Sequence, residues 1–117
     1  MDDLQDYEAL LGHDVLVRID RPKGSLHPEH GFVYEVNYGF IPGTRAGDGQ
    51  EMDAYVLGES EPMTEYTGPC VAIIVRRDDD EHKLVVSRLP VTAGQIAEQT
   101  AFVEQYFETE IVLRPTQ

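Results

Sequence analysis

Two apolar, strand-like runs separated by an acidic connection confine this chain to a β-rich fold. The first covers residues 32–41 and the second residues 52–57. Both are short, rich in Val, Tyr, Phe and Ile, and bounded by Gly, Pro and Thr, the pattern of strands joined by a loop. The loop closes with Asp48, Glu51 and Asp53. Carboxylates gathered on a turn between strands suit a hard cation such as Mg²⁺, which takes one or two carboxylates and completes its octahedron with water and substrate oxygens. The same acids also fit a plain solvated Asx-type turn. The turn by itself does not choose.

The flanking sequence supplies further short strands and two helices. Residues 2–11 predict a short helix: Leu4, Tyr7, Leu10 and Leu11 fall near one face, acids crowd the first turn and Gly12 can end it. Such a helix would lie as a lid on the core. Residues 14–20 alternate Val15, Val17 and Ile19 with Leu16 and Arg18, a strand signature. Residues 21–30 form a loop. His27 and His30 within it invite a zinc reading, but Pro28 opposes a helical ligand pair and no third ligand accompanies them, so solvated or turn-forming histidines fit better. Residues 64–67 predict a turn, 71–75 and 83–86 two strands, and 76–82 the polar hairpin connection between them.

The clearest helix begins at Thr92, with Gln95 three residues on completing a capping box and Val91 and Ile96 at the two positions of a hydrophobic staple. Ile96, Val103 and Phe107, with Ala97, Ala101 and Phe102, can face a sheet. Residues 110–113 read as a last short strand. The 117 residues carry no internal repeat or linker, which predicts one domain over 1–117: α+β, a small twisted, mostly antiparallel barrel with one long and one short helix.

Charge narrows the partners. Nine basic against 22 acidic residues give a formal net charge of −13. That surface repels nucleic-acid backbones and anionic membranes, so neither is expected as a partner. It also repels a free phosphate anion unless a cation or clustered basic groups offset the field. Cys70 is the only cysteine, which excludes an intrachain disulfide and a thiolate metal cluster; next to the apolar run 71–75 it reads as a buried structural thiol. No apolar run approaches 18 residues and the N-terminus lacks a signal-peptide pattern, so a soluble, cytoplasmic protein is expected.

The block Tyr34-x-x-Asn37-Tyr38-Gly39-Phe40-Ile41-Pro42, followed by Asp48-Gly49-x-x-x-Asp53-Ala54, resembles the core signature of the soluble family I inorganic pyrophosphatases. The resemblance implies an OB-like barrel, Mg²⁺ or Mn²⁺ as cofactor, and metal-dependent hydrolysis of pyrophosphate, a small anionic substrate, to phosphate; a homo-oligomer is left open. It implies Asp48 and Asp53 as catalytic metal ligands. Glu81-His82-Lys83-Leu84-Val85 is similar to the family's Asp-x-Lys-Leu-Val, which makes Glu81 a further metal ligand and Lys83 a catalytic phosphate contact. An earlier hairpin acid, chosen as Asp78 with Asp79 and Asp80 as alternatives, would complete the metal set. Tyr38 and Tyr106 would contact phosphate, and Tyr34 would orient the loop.

Departures from the family's pattern cluster. Gln50 stands where the family has the middle Asp linked to forming the nucleophile, Arg18 aligns with the Glu of the first strand, and Phe107 replaces the Lys after Tyr106. Residues 21–30 are too few for the family's Lys-x-Glu strand, leaving Lys23 as a candidate substitute phosphate contact. Two readings follow: a reduced Mg²⁺-dependent pyrophosphatase or a relative acting on another phosphoanhydride, favoured because its retained acids, Lys83 and three tyrosines come from separated segments, and a non-catalytic OB-like barrel keeping a metal or phosphate pocket for binding or interaction.

Overall fold

The computed structural model describes residues 4–46, 49–79 and 81–114. Eight elements follow in order: α1 (Leu4–Glu8), β1 (Asp14–Arg21), β2 (Asn37–Ile41), β3 (Met52–Val56), β4 (Glu65–Arg76), β5 (Lys83–Val86), α2 (Ala93–Glu104) and β6 (Thr109–Leu113). Strands β1-β2-β3-β5-β4 pair in that order and β4 returns to β1, which closes a five-stranded barrel; β6 adds to the second half of β4. All pairs are antiparallel except β3–β5. This is the small α+β barrel expected, with the strand order of an OB-like fold.

Period-two alternation sorts each strand between two packed faces. Val15, Val17, Ile19, Met52, Ala54, Val56, Ile73, Leu84 and Val86 turn inward, and α1 covers them with the fully buried Tyr7. On the outer face Tyr55, Ala72, Ile74 and Val85 meet α2, whose Ile96 is completely buried, a contact worth roughly 1.5–3 kcal/mol. The α2 N-terminus forms as its sequence dictates: Thr92 Oγ1 accepts from the Gln95 amide at 3.1 Å, and Gln95 Oε1 accepts from the Thr92 amide at 2.8 Å. Close approach of β1 and β2 requires glycine at one position. A Cβ on Gly39 would lie 1.9 Å from the Arg18 carbonyl oxygen.

Three stretches differ from the sequence reading by more than one residue. The run 32–41 becomes a strand only from Asn37; residues 24–34 form a loop held by Gly24–Tyr34 and His27–Phe32 backbone bonds and one isolated bridge, Leu26–Val33. Its aromatic side chains pack beside α2 instead of joining a ladder. Residues 64–67 are not a turn: β4 starts at Glu65 and pairs with β1 from Arg18 to Asp14. Gly68 and Pro69 resemble turn punctuation, yet here they sit within a long strand that serves β1 with its first half and β5 and β6 with its second. Such residues suit the bends of a closed barrel. Helix α1 ends at Glu8, three residues before the expected Leu11.

Candidate active site

Register assembles the candidate site. Phe40 on β2, Asp53 on β3, Lys83 on β5 and Ile74 on β4 lie in one row across the sheet, so their side chains share the outer face. One step along, Tyr38 and Tyr55 form the next row. The diagonal neighbours Tyr38 and Asp53 meet: Tyr38 Oη donates to Asp53 Oδ2 at 2.7 Å. Lys83 Nζ donates to the same oxygen at 2.7 Å and also pairs with Glu81. The Lys83 side chain is almost fully buried and its ammonium lies 5.6 Å from the Tyr38 ring centre. One ammonium thus bridges two carboxylates from different segments, as charge-assisted bonds favour.

The electrostatics follow. Burial alone would raise the Asp53 carboxyl, but the charge of Lys83 and hydrogen bonds with Glu81, Lys83 and Tyr38 outweigh it and hold Asp53 below the usual carboxylate value. Burial, then the Asp53 charge, pushes the Tyr38 phenol well above 10. At neutral pH the pair is therefore an ionised acceptor beside a protonated donor.

Asp20 lies near this group, and the sequence reading did not name it. The β1–β2 register shifts between Ile19 and Arg21, and Asp20, at that irregularity, feels the charge of Asp53. Desolvation, resisted by Arg21, raises its carboxyl above the ordinary value. Arg18, assigned to the first-strand acid position from the sequence, is exposed, as is Asp20 two residues on.

Beside the cluster opens a cavity of about 540 Å³, lined by His27, His30, Phe32, Tyr34, Tyr38, Tyr55, Arg76, Val103, Tyr106 and Phe107. Arg76 carries its positive charge. Its Nε and Nη2 donate to the two oxygens of Glu104 at 2.9 and 2.6 Å, Tyr55 Oη donates to Glu104 Oε2 at 2.6 Å, and the guanidinium lies 3.7 Å from the Phe107 ring centre. Phe107, unable to hold phosphate as a lysine would, instead stacks on an arginine. The clue lay in α2: Ile96, Thr100 and Glu104 recur every four residues on its buried side, and a buried acid demands a cationic partner.

The other expected residues fall as follows. Tyr34 is buried with its ring 5.5 Å from that of Tyr38, and Tyr106 is exposed at the cavity. Asp78 Oδ1 accepts from the Glu108 amide at 3.2 Å, while Asp79 accepts from the Glu81 amide and pairs with Arg76. Asp48 and Asp80 lie outside the described residues. The Gln50 side chain is exposed, while its carbonyl accepts from the Ala46 amide. Lys23 lines a separate recess with Glu35, Glu59 and Gln99. His27 Nδ1 accepts from the Glu29 and His30 amides, so it forms a turn. Among the described residues no three His, Cys, Asp or Glu side chains gather as a metal site. Asp53 and Glu81 nevertheless bring hard oxygen donors together, the kind and number Mg²⁺ takes from protein.

A family model for inorganic pyrophosphatase matches residues 14–109. The chain belongs to the inorganic pyrophosphatase family. Within the family, an inorganic pyrophosphatase of Campylobacter jejuni is 27% identical, the match covering 92% of this chain and 73% of that protein. Solved pyrophosphatase structures share the fold: that from Ehrlichia chaffeensis superposes with a TM-score of 0.66 at 19% identity over 86% of each chain. That from Helicobacter pylori gives 0.61 at 18% identity over 86% of this chain and 82% of the other. The pyrophosphatase barrel carries Asp53, Lys83 and Tyr38 on strands β3, β5 and β2. Among the described residues no helix is long and apolar enough to cross a membrane.

Proposed function

We propose that the protein hydrolyses inorganic pyrophosphate to phosphate with a divalent cation, Mg²⁺ or Mn²⁺. The observation that carries this reading is the buried Lys83 ammonium held between Asp53 and Glu81 with Tyr38 donating to Asp53, on the frame of the family. Asp53 and Glu81 would hold the cation, joined in the proposal by Asp48 and by Asp78 if it leaves the Glu108 amide. When bound, such an ion lowers the pKa of water and offsets phosphate charge.

The chain's own groups do the rest. Lys83 presents a fixed positive charge where pyrophosphate oxygens would lie, in a site dry enough to strengthen it. Tyr38 stays protonated and can donate, and Tyr34 and Tyr106 offer hydroxyls along the cavity for binding. In the reaction a water oxygen bonds to one phosphorus and the bridging oxygen leaves with the other phosphate. Gln50 can position that water but cannot take its proton at neutral pH, so a carboxylate of the cluster must. The net charge of −13 makes a cation the natural companion of so anionic a substrate. The same reading takes the protein to act in the cytoplasm.

The test is phosphate release from pyrophosphate by the purified chain with Mg²⁺ or Mn²⁺, against chelator. Metal-dependent release is expected. None above a heat-killed control with either ion would leave a barrel that binds without turning over.

A further inference from the structure

We infer that the preferred substrate is a pyrophosphate esterified at one end by a group bearing an aromatic heterocycle, of which the nucleoside diphosphates are the simplest class. The inference rests on the phosphoanhydride reading of the Lys83–Asp53 cluster and extends it into the adjoining cavity. At about 540 Å³ the cavity lies in the roughly 300–1,000 Å³ range of pockets that enclose organic ligands, larger than a bare pyrophosphate anion requires.

Its walls are the wrong chemistry for a second phosphate. Among the described residues, eight of the ten lining it carry rings and Arg76 alone carries a fixed positive charge, already committed to Glu104. The residues 27–32 supply a compact cluster of three rings: the His27 and His30 rings lie 4.7 Å apart at 29°, His27 and Phe32 4.8 Å at 34°, and His30 and Phe32 6.5 Å at 7°. His30 is exposed, and His27 and Phe32 are partly exposed. A cluster of partly exposed rings beside a phosphate-binding group offers faces on which flat heterocycles stack, with little regard for which base.

Tyr38 connects the two regions. Its hydroxyl bonds Asp53 while its ring lines the cavity, so one ligand can place its anhydride at Lys83 and its base on the His27–Phe32 wall. The step balances without a further reactant. Water oxygen bonds to the terminal phosphorus, the bridging oxygen leaves with its electron pair on the nucleoside monophosphate, and the water proton passes through a carboxylate of the cluster to solvent.

The experiment measures the binding of ADP and of methyl diphosphate, which has the same anhydride without a ring, by calorimetry on the full chain with and without Mg²⁺. Phosphate release from both, and from pyrophosphate, is followed in parallel. Stacking on one ring is worth about 5- to 150-fold in affinity, so ADP should bind at least fivefold more tightly, and the gap should shrink in Phe32→Leu, which keeps bulk but removes a ring. Equal affinity of the wild type for the two ligands overturns the inference, whatever is turned over. Tighter ADP binding with no phosphate released from any compound leaves the aromatic subsite standing and removes the proposed hydrolysis.

Discussion

Replacing Glu104 by Leu is expected to be among the most damaging single changes in the protein. Glu104 accepts two hydrogen bonds from Arg76 and one from Tyr55, at 2.6 to 2.9 Å. Both partners of the ion pair are 6% exposed and Tyr55 is fully buried. Leu fills similar space but, among the described residues, leaves a guanidinium with only the part-exposed Asp79 at 3.4 Å and a phenol without its Glu104 acceptor. Breaking a buried pair from one side costs about 3–5 kcal/mol, against about 5–15 kcal/mol for a whole domain. At this size that lowers Tm by roughly 10–25 °C. Removing all three polar partners, in Arg76→Met/Tyr55→Phe/Glu104→Leu, should recover most of the loss, because an apolar cluster of similar volume needs no partner. Urea unfolding of wild type, single and triple variants reads both effects. A single variant within about 1 kcal/mol of wild type, or a triple variant no more stable than the single, would refute the claim that this network is a closed, buried charge pair.

The depressed Asp53 carboxyl contributes stability that is present above the unfolded carboxylate value and lost as pH falls through its lower folded value. Wild type should therefore lose stability in acid more steeply than Asp53→Asn when urea unfolding is followed from pH 6 to pH 2. Burial pushes the Cys70 thiol from 9 up to about 11; stability from that group is complete below pH 9 and falls by about 2–3 kcal/mol as pH rises to 11. Cys70→Ala should flatten that alkaline slope, and the wild-type thiol should resist a thiol reagent at pH 8. Gln50→Asp restores an acid at the loop position where the family has one. It should speed pyrophosphate hydrolysis by about 10²-fold, the low end of general-base help, and an equal or slower rate with tighter Mg²⁺ binding would show that Gln50 is not the missing base.

Local signals carried far in this sequence. The capping box and staple at Thr92 depend on residues three to five positions apart, and α2 formed around them. The alternation of β1 likewise expresses a pattern the strand itself dictates. What failed needed partners distant in the chain. Residues 32–36 look like strand because Phe32, Tyr34 and Val36 alternate, but their neighbours in space are α2 and the loop, not a pairing strand. Residues 64–67 look like a turn with Glu61-Pro62 shortly before them, and only closure of the barrel onto β1 makes residues 65–67 strand. In the site, Asp53, Glu81, Lys83 and Tyr38 were legible through motif likeness. The Arg76–Glu104 pair was hidden by 28 residues of separation.

The most direct test of the central claim is single-turnover hydrolysis of pyrophosphate at saturating Mg²⁺ by wild type and Lys83→Met. Methionine keeps the length of the buried side chain and removes the ammonium shared by Asp53 and Glu81. Wild type should release phosphate, and Lys83→Met, still folded by circular dichroism, should be slower by about 10²–10³-fold, the cost of deleting one preorganised electrostatic donor. A wild type that releases nothing above a metal-free control, or a folded Lys83→Met that hydrolyses pyrophosphate as fast as wild type, would contradict the account.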